Sequence, residues 1–292
     1  MWRVAKEKLT LAVVCCLVVS SLSCGAGNRT SLDAEVPDPP AVPPPPPKFL
    51  SDGFESGDFS KWSLVWNPAD VTINNSTSFV RSGAYSAQFR YSLCSSCGNA
   101  HQDTNRFVEL AFNAGHGYPN GIDHVFVRGS VYFKTPEVGG SVEIQRKLYY
   151  IKIPSGASGV PNAYWAVILS SDGLVSTPNK VQLYLLLANS ALGGATTRIW
   201  TAASPAEQLE FDRWHDIQIE VKANTPAIHD GRVALWLNGV KVFEESGLDV
   251  RRDSDLGVDR IEIGCQADRL DYVPVEEYRY WDDVRVSDSF IQ

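Results

Sequence analysis

Apolar and polar residues alternate with a period of two along most of the chain after residue 48, a pattern that predicts β-strands. In the segment 215–222, one histidine and three aliphatic residues alternate with charged and amide side chains, as in a strand with one buried face. Comparable alternation occurs in 124–134, 143–153, 164–169, 181–187, 233–237, 258–265 and 278–286. No segment has helical periodicity. The strands and the turn signals between them predict an all-β fold, a two-sheet antiparallel sandwich.

The Asn-Gly dipeptide at 238–239 marks a hairpin between two of these strands. Both residue types adopt positive φ readily, as a two-residue type I′ turn requires. Such a turn places Leu237 opposite Val240 and Leu235 opposite Val242. We therefore expect one face of this hairpin to be aliphatic and buried.

Strand parity assigns each side chain to the core or to the outer surface. In the segment 124–134, the residues assigned to the core are Val125, Val127, Val131 and Phe133. In the segment 143–153, Ile144, Leu148 and Tyr150 are assigned to the core and Gln145, Lys147 and Tyr149 to the outer face. Arg146 interrupts the apolar face, which we interpret as a bulge or a strand end.

The outward positions of the central strands carry side chains that suit a sugar. Aromatic rings stack on sugar faces, while amides and cations bind hydroxyls and carboxylates. The set is His124, Arg128, Ser130, Tyr132, Gln145, Lys147, Tyr149, Tyr164, Gln182, Tyr184, Arg198 and Trp200. The outer face of any antiparallel sheet is polar, so a glycan-binding groove and an ordinary solvated face are both compatible with this pattern.

The N-terminus predicts export. Residues 1–23 resemble a signal peptide, because basic residues precede a short apolar run and serines follow it. Cys24 and the glycines after it resemble a bacterial lipoprotein processing site, although Ser21 replaces the usual aliphatic residue, so ordinary cleavage near Ser23 is the alternative. Residues 24–48 then form a lipid anchor and a stiff proline-rich linker, followed by one domain at 49–292. We expect a secreted protein of the bacterial cell envelope that contacts the membrane only through this anchor.

The net charge of the chain limits the kinds of partner that it can bind. The formal net charge is −8, and it becomes −10 without residues 1–23, which carry three basic residues and one acidic residue. An acidic surface argues against nucleic acid as a partner. We expect a monomer that needs no cofactor.

The cysteines predict an oxidising compartment. Cys94 and Cys97 are expected to form a local disulfide, while Cys265 shares strand parity with Ile261 and is expected to be a buried thiol. Together with His101, the first two also form a C-x₂-C-x₃-H pattern. A zinc site needs a fourth ligand, and the sequence offers none nearby, so we predict no metal site there.

Several segments together resemble the concanavalin A-like jelly rolls, and within that group the bacterial polysaccharide-lyase-like proteins of the heparin-lyase and alginate-lyase type. They are FESGDFSKW at 54–62, RSGAYSAQF at 81–89, WHDIQIEVKANTP at 214–226, DGRVALWLNG at 230–239 and YWDDVRVSD at 280–288. The resemblance covers nearly all of the domain. It implies a jelly-roll sandwich that binds a glycan along the concave face of one sheet.

The resemblance also implies roles for individual residues. β-Elimination of a uronate needs a group that neutralises the carboxylate, a base and an acid. Arg128 suits the first role, Lys147 or His124 the second and Tyr149 the third, and we predict that Arg128, Lys147 and Tyr149 converge. The residues expected to bind substrate are Tyr132, Gln145, Tyr164, Gln182, Tyr184, Arg198 and Trp200. The Arg-Ser-Glu-Leu-Arg motif of many alginate lyases is absent, and its nearest echo is Arg-Phe-Val-Glu-Leu at 106–110.

The sequence is therefore compatible with three functions. They are a lyase acting on an acidic polysaccharide, a non-catalytic, lectin-like surface module, and a surface scaffold. Glycoside hydrolysis is disfavoured, because no strand carries a Glu-x-Asp-x-x-Glu cluster. Asp282 or Asp283 could help to hold a structural calcium ion with Glu55 or Asp58, as in relatives, and a solvated carboxylate is the alternative.

Overall fold

The computed structural model describes residues 49–93, 105–112, 117–136, 144–154, 164–172, 180–189, 195–251, 256–269 and 275–292. Its strands are β1 (Leu50–Asp52), β2 (Leu64–Trp66), β3 (Val71–Asn74), β4 (Ser86–Leu93), β5 (Phe107–Ala111), β6 (His124–Phe133), β7 (Ile144–Pro154), β8 (Tyr164–Asp172), β9 (Lys180–Asn189), β10 (Ala195–Thr201), β11 (Leu209–Glu210), β12 (Trp214–Lys222), β13 (Gly231–Leu237), β14 (Val240–Leu248), β15 (Arg260–Ile263), β16 (Ala267–Arg269) and β17 (Val275–Ser287). Short 3₁₀ turns lie at Thr77–Phe79 and Pro205–Glu207. Cys24, Cys94, Cys97 and His101 lie outside these residues, so the predictions made for them stay predictions.

These strands form two antiparallel sheets. One has eight strands in the order β14-β13-β12-β6-β17-β4-β3, with β1 added beside β17. The other has nine strands in the order β10-β9-β8-β7-β15-β5-β2, with β11 beside β9 and β16 beside β7. The predicted two-sheet antiparallel sandwich is confirmed. Among the described residues, none belongs to a helix long and apolar enough to cross a bilayer.

The core lies between the two sheets. Val127 and Ile219 of the eight-stranded sheet and Ile151 and Leu169 of the nine-stranded sheet have no exposed surface and belong to one cluster. Each such side chain contributes about 1.5–3 kcal/mol relative to an exposed one. The two outer faces therefore lie on opposite sides of the molecule, with a core roughly 10 Å thick between the sheets.

The Asn-Gly hairpin forms where it was predicted. The dipeptide at 238–239 has φ of 51° and 81°, and Leu237 pairs with Val240. A bulge after Leu235 then places that residue opposite Phe243 instead of Val242. The expectation of a wholly buried aliphatic face is also wrong, because Val240 is 64% exposed at the edge of the sheet.

Bulges in two strands of the nine-stranded sheet reverse the predicted faces. In β7 the pairing shifts between Lys147 and Tyr149, just after the interruption that Arg146 signals in the sequence. In β10 it shifts between Arg198 and Trp200. One extra residue in a strand moves every later side chain to the other face. Tyr149 and Trp200 therefore point towards the core, contrary to their predicted parity.

Candidate functional site

The predicted site residues divide between the two sheets. His124, Arg128 and Tyr132 lie on β6 in the eight-stranded sheet, whereas Lys147 lies on β7 in the nine-stranded sheet. The prediction that Arg128, Lys147 and Tyr149 converge is wrong. Alternation shows which face of a strand is outward, but it does not show to which sheet the strand belongs.

On the eight-stranded sheet, the predicted residues contact their own neighbours. His124 Nε2 lies 2.8 Å from a carboxylate oxygen of Glu220. The Arg128 guanidinium is 3.5 Å from Asp216. The ring of Tyr132 packs against Phe79 and Trp214, with centroids 5.4 and 5.7 Å away. These three residues do not share a surface with Lys147.

Tyr149 is part of the interior, and Trp200 packs against it from the edge. The Tyr149 hydroxyl donates to the Ile217 carbonyl at 3.4 Å, and its ring packs edge-on against Trp281. Burial, the largest cause, raises the pKa of Tyr149 well above its usual value, so this phenol keeps its proton. Trp200 packs against Phe243, with centroids 6.0 Å apart. Tyr149 has no exposed surface and cannot line a groove, while Trp200 is half-buried and packs against the core.

Three predicted binding residues, together with Lys147, do lie on the outer face of the nine-stranded sheet. Lys147 pairs in register with Ser170 on β8, which pairs in turn with Tyr184 on β9. Lys147 and Tyr184 are thus two strands apart, roughly 10 Å between backbones. Ser170 lies between them, fully buried, and its hydroxyl donates to the Arg146 carbonyl at 2.8 Å. We refer to Lys147, Ser170, Tyr184 and the neighbouring Gln145 and Arg198 as the Lys147 site.

Polar contacts hold the side chains of the Lys147 site. Gln145 Nε2 donates to the Tyr184 hydroxyl at 2.7 Å, and the Arg198 guanidinium lies 4.0 Å above the Tyr184 ring. Lys147 Nζ donates to Gln266 Oε1 at 2.5 Å. A cation over a phenol ring stabilises negative charge that develops on the phenolic oxygen. The arrangement can therefore supply a proton donor, an amine and a guanidinium within one cluster.

Two predicted binding residues, Gln182 and Tyr164, remain to be placed. Gln182 is exposed on β9, two residues before Tyr184, and its amide donates to the Ala202 carbonyl at 3.0 Å. Tyr164 begins β8, where its backbone pairs with Pro154; its side chain is not among those described.

An apolar strip adjoins the Lys147 site. Its aromatic residue is Tyr150, which strand parity had predicted to lie in the core. Tyr150 follows the bulge in β7 and faces outward, packed with Ile168 and Leu186 of the neighbouring strands. The ammonium groups of Lys147 and Lys152 lie 5.9 and 5.3 Å from its ring. An aromatic ring flanked by two cations suits an acidic sugar. The bulge that hid Tyr149 is what exposes Tyr150.

A pair of carboxylates lies beyond Tyr150 on the same face. Glu109 on β5 and Glu262 on β15 pair in register, and they are only 9% and 4% exposed. Burial, more than the adjacent Glu109, raises the pKa of Glu262, while its ion pair with Lys152 lowers it. No Glu-x-Asp-x-x-Glu pattern within one strand marks this pair in the sequence, because its members come from strands far apart in the chain.

The carboxylates considered for calcium are engaged with N–H and O–H donors. Glu55 accepts the backbone amides of Ala84 and Tyr85, and Asp58 accepts two serine hydroxyls. Asp282 is fully buried and accepts the amides of Arg81 and Ser82, so it is not the solvated carboxylate considered from the sequence. Within the described ranges, no group of three or more His, Cys, Asp or Glu side chains is placed to hold a metal ion.

Comparison with known proteins relates this chain to polysaccharide lyases, both by sequence and by fold. A family model described as polysaccharide lyase matches residues 54–264. The fold is similar to endo-β-1,4-glucuronan lyase from Trichoderma reesei, with 15% identity, a TM-score of 0.58, and coverage of 80% of this chain and 94% of that one. It is also similar to the alginate lyase from Aplysia kurodai, with 14% identity, a TM-score of 0.52 and coverage of 78% and 90%. No curated protein sequence matches. The expectation of a jelly-roll sandwich is confirmed.

Proposed function

Because the chain belongs to the polysaccharide lyase family, whose model matches residues 54–264, we propose that it cleaves an acidic, uronate-containing polysaccharide by β-elimination. The observation that carries the proposal is the register of Lys147, Ser170 and Tyr184 across three neighbouring strands. That register brings an amine and a phenol to one outer face, with a guanidinium directly above the phenol ring.

Each chemical role can be given to a residue of the Lys147 site. Arg198 pairs with the uronate carboxylate and neutralises it. Lys147, in its amine form, takes the C5 proton, and Tyr184 gives its proton to the glycosidic oxygen on C4. The C5–H and C4–O bonds break and a C4=C5 double bond forms. Arg198 thus replaces Arg128, and Tyr184 replaces Tyr149, in the roles that the sequence analysis gave to those two residues.

The position of Arg198 makes this mechanism dependent on substrate. Tyr184 is only 1% exposed, and Arg198 lies over its ring. A uronate carboxylate that pairs with Arg198 draws the guanidinium away from the ring and uncovers the phenol. The Gln145 amide, which already contacts the phenolic oxygen, keeps Tyr184 oriented while this happens.

The direct experiment is to incubate the purified protein with glucuronan, the polymer named for one relative, and with alginate, named for another. The expected result is an increase in ultraviolet absorbance from the unsaturated uronate, with shorter oligosaccharides as products. A neutral glucan of the same linkage is the control, and it should remain uncleaved. Binding of these polymers without any unsaturated product would instead support the lectin-like alternative.

Export and anchoring are part of the same proposal. The signal-like residues 1–23, Cys24 and the proline-rich linker support a domain displayed at the bacterial cell envelope. Cell fractionation tests this: the wild-type protein should be found with membranes, and Cys24→Ser should release it. A Cys24→Ser protein that stays with the membranes would contradict the lipid anchor.

A further inference from the structure

A cavity of about 250 Å³ lies on the outer face of the eight-stranded sheet, on the side of the molecule away from the Lys147 site. We propose that this cavity is a second carbohydrate-binding site, which takes one acidic sugar unit of a glycan without cleaving it. We name it the Gln218 cavity. Its walls include Arg128, Asp216, Gln218, Trp236 and Phe290.

The register of three strands brings together the side chains that such a sugar needs. Gln218 on β12 pairs with Arg128 on β6 and with Trp236 on β13. An amide therefore lies between a cation and an indole on one face of the sheet. A uronate presents a carboxylate, hydroxyls and an apolar C–H face, which these three groups bind in turn.

Gln218 supplies the most specific indication of a ligand. The residue is only 5% exposed, and its amide nitrogen has no hydrogen-bond partner within the part of the chain that the structure describes. Buried amide groups in proteins are nearly always hydrogen-bonded, because an unpaired one costs free energy. A sugar hydroxyl in the cavity would accept from this amide.

Local charge favours an acidic sugar over a neutral one. Asp216 is 2.8 Å from Arg81 and 3.5 Å from Arg128, so two cations share one carboxylate. Asp216 also accepts the Ser130 hydroxyl at 2.6 Å. Arg285 pairs in register with Arg128 and adds a further positive charge to the same face. Arg81 also lies 3.9 Å from Asp283, so the cation that the cavity offers to a sugar carboxylate is Arg128, with Arg285 beside it.

Aromatic rings form the apolar wall. Trp236 and Phe290 lie edge to face with centroids 5.3 Å apart, and Phe126 packs against both. Phe290 is 52% exposed, which leaves an aromatic surface available for a sugar. The cavity is smaller than the roughly 300–1,000 Å³ of pockets for drug-sized ligands, so it suits one sugar unit of a longer chain.

This site does not rest on the proposed catalysis. A second contact on the far side of the molecule would keep the protein bound to a polymer while the Lys147 site acts on another stretch of it. If the protein proves to be non-catalytic, the Gln218 cavity still binds.

Titration calorimetry with a glucuronate trisaccharide tests the proposal, in a Lys147→Ala background so that the probe is not cleaved. The Lys147→Ala protein, here called the parent, should bind the trisaccharide at the Gln218 cavity. Adding Trp236→Ala should weaken that binding at least about tenfold. Val240→Ala, an exposed position on the same hairpin, is the matched control and should bind as the parent does. Gln218→Leu removes the amide with a side chain of similar size, so it should fold like the parent and also lose binding there.

Three results would overturn the proposal. The first is unchanged stoichiometry and affinity in both Trp236→Ala and Gln218→Leu proteins whose circular dichroism and melting match the parent. The second is equal binding of cellotriose, a neutral trisaccharide, at the same site. The third is loss of turnover on short substrates in Trp236→Ala made in the otherwise wild-type protein, since that would make Trp236 part of the catalytic machinery.

Discussion

Arg146 of the nine-stranded sheet and Glu277 of the eight-stranded sheet form a 2.6 Å ion pair in the interior, and neither side chain has any exposed surface. Glu277 also pairs with Arg279 at 2.6 Å. Burial raises the pKa of Glu277, but the two guanidinium groups outweigh it and hold that pKa below its usual value. Arg146 directly precedes Lys147, so this ion pair connects the strand that carries the Lys147 site to the opposite sheet.

Removing the charge of Glu277 should be severely destabilising. Glu277→Gln leaves two buried arginines with no counter-charge, and breaking a buried pair costs about 3–5 kcal/mol. Urea denaturation measures the free energy of unfolding. Glu276→Gln is the control, because Glu276 is half-exposed and pairs with Arg90 at the surface, where a pair contributes up to about 1 kcal/mol. Equal losses in the two variants would contradict this account of the ion pair.

Asp282 should make stability depend on pH. Burial raises the pKa of this carboxyl from 3.8 to about 6. The folded state therefore binds more protons than the unfolded one, and the free energy of unfolding falls as pH rises from about 4 to about 6, by at most about 3 kcal/mol. Asp282→Asn removes this contribution. Compared with the wild type, its unfolding free energy should change less between about pH 4 and pH 7; Asp283→Asn should keep the wild-type difference.

A methyl group on Gly239 would have space, but the backbone conformation of this residue disfavours any side chain. Its φ is 81°, and a Cβ placed there would meet no atom within 4 Å. Gly239→Ala should therefore lower the free energy of unfolding by about 1–2 kcal/mol, the cost of a left-handed conformation for a residue with a Cβ. Thermal and urea denaturation report the loss. An alanine variant as stable as the wild type would show that the turn is not held in the type I′ conformation.

Alternation predicted the strands well and the inner faces of the regular ones. Val127 and Val131 on β6 are fully buried as expected, and so is Cys265, which the structure shows as a free thiol. The predicted faces are wrong for Tyr149 and Trp200, because each follows an extra residue in its strand and one extra residue reverses all later parities.

The hydrophobic pattern could not predict which strands share a sheet or how distant strands align. Periodicity does not reveal that β6 and β7 belong to different sheets, so Arg128 was grouped with Lys147. Nor does it give the register between distant strands, on which the facing carboxylates of Glu109 and Glu262 depend. Arg146 keeps its register with Ser171 and points inward to Glu277, so its charge in an apolar run marks a buried ion pair, and the bulge lies after Lys147.

Lys147→Ala should separate chemistry from binding. The amine serves the transition state, so its loss should lower kcat by at least about a hundredfold while leaving the affinity for an acidic oligosaccharide largely unchanged. Lys222→Ala is a useful control, because it removes the same charge from β12 of the other sheet and should leave kcat near the wild-type value. A Lys147→Ala protein with normal kcat would remove Lys147 from the mechanism.

The central claim is that Tyr184, and not Tyr149, donates the proton at the Lys147 site, and one matched pair of variants tests it most directly. Each substitution to phenylalanine removes a single hydroxyl, and the measurement is the rate at which unsaturated uronate forms from glucuronan or alginate. The account predicts that Tyr184→Phe lowers this rate at least about a hundredfold, while Tyr149→Phe stays within about threefold of the wild type. Loss of turnover in Tyr149→Phe with Tyr184→Phe fully active would contradict it.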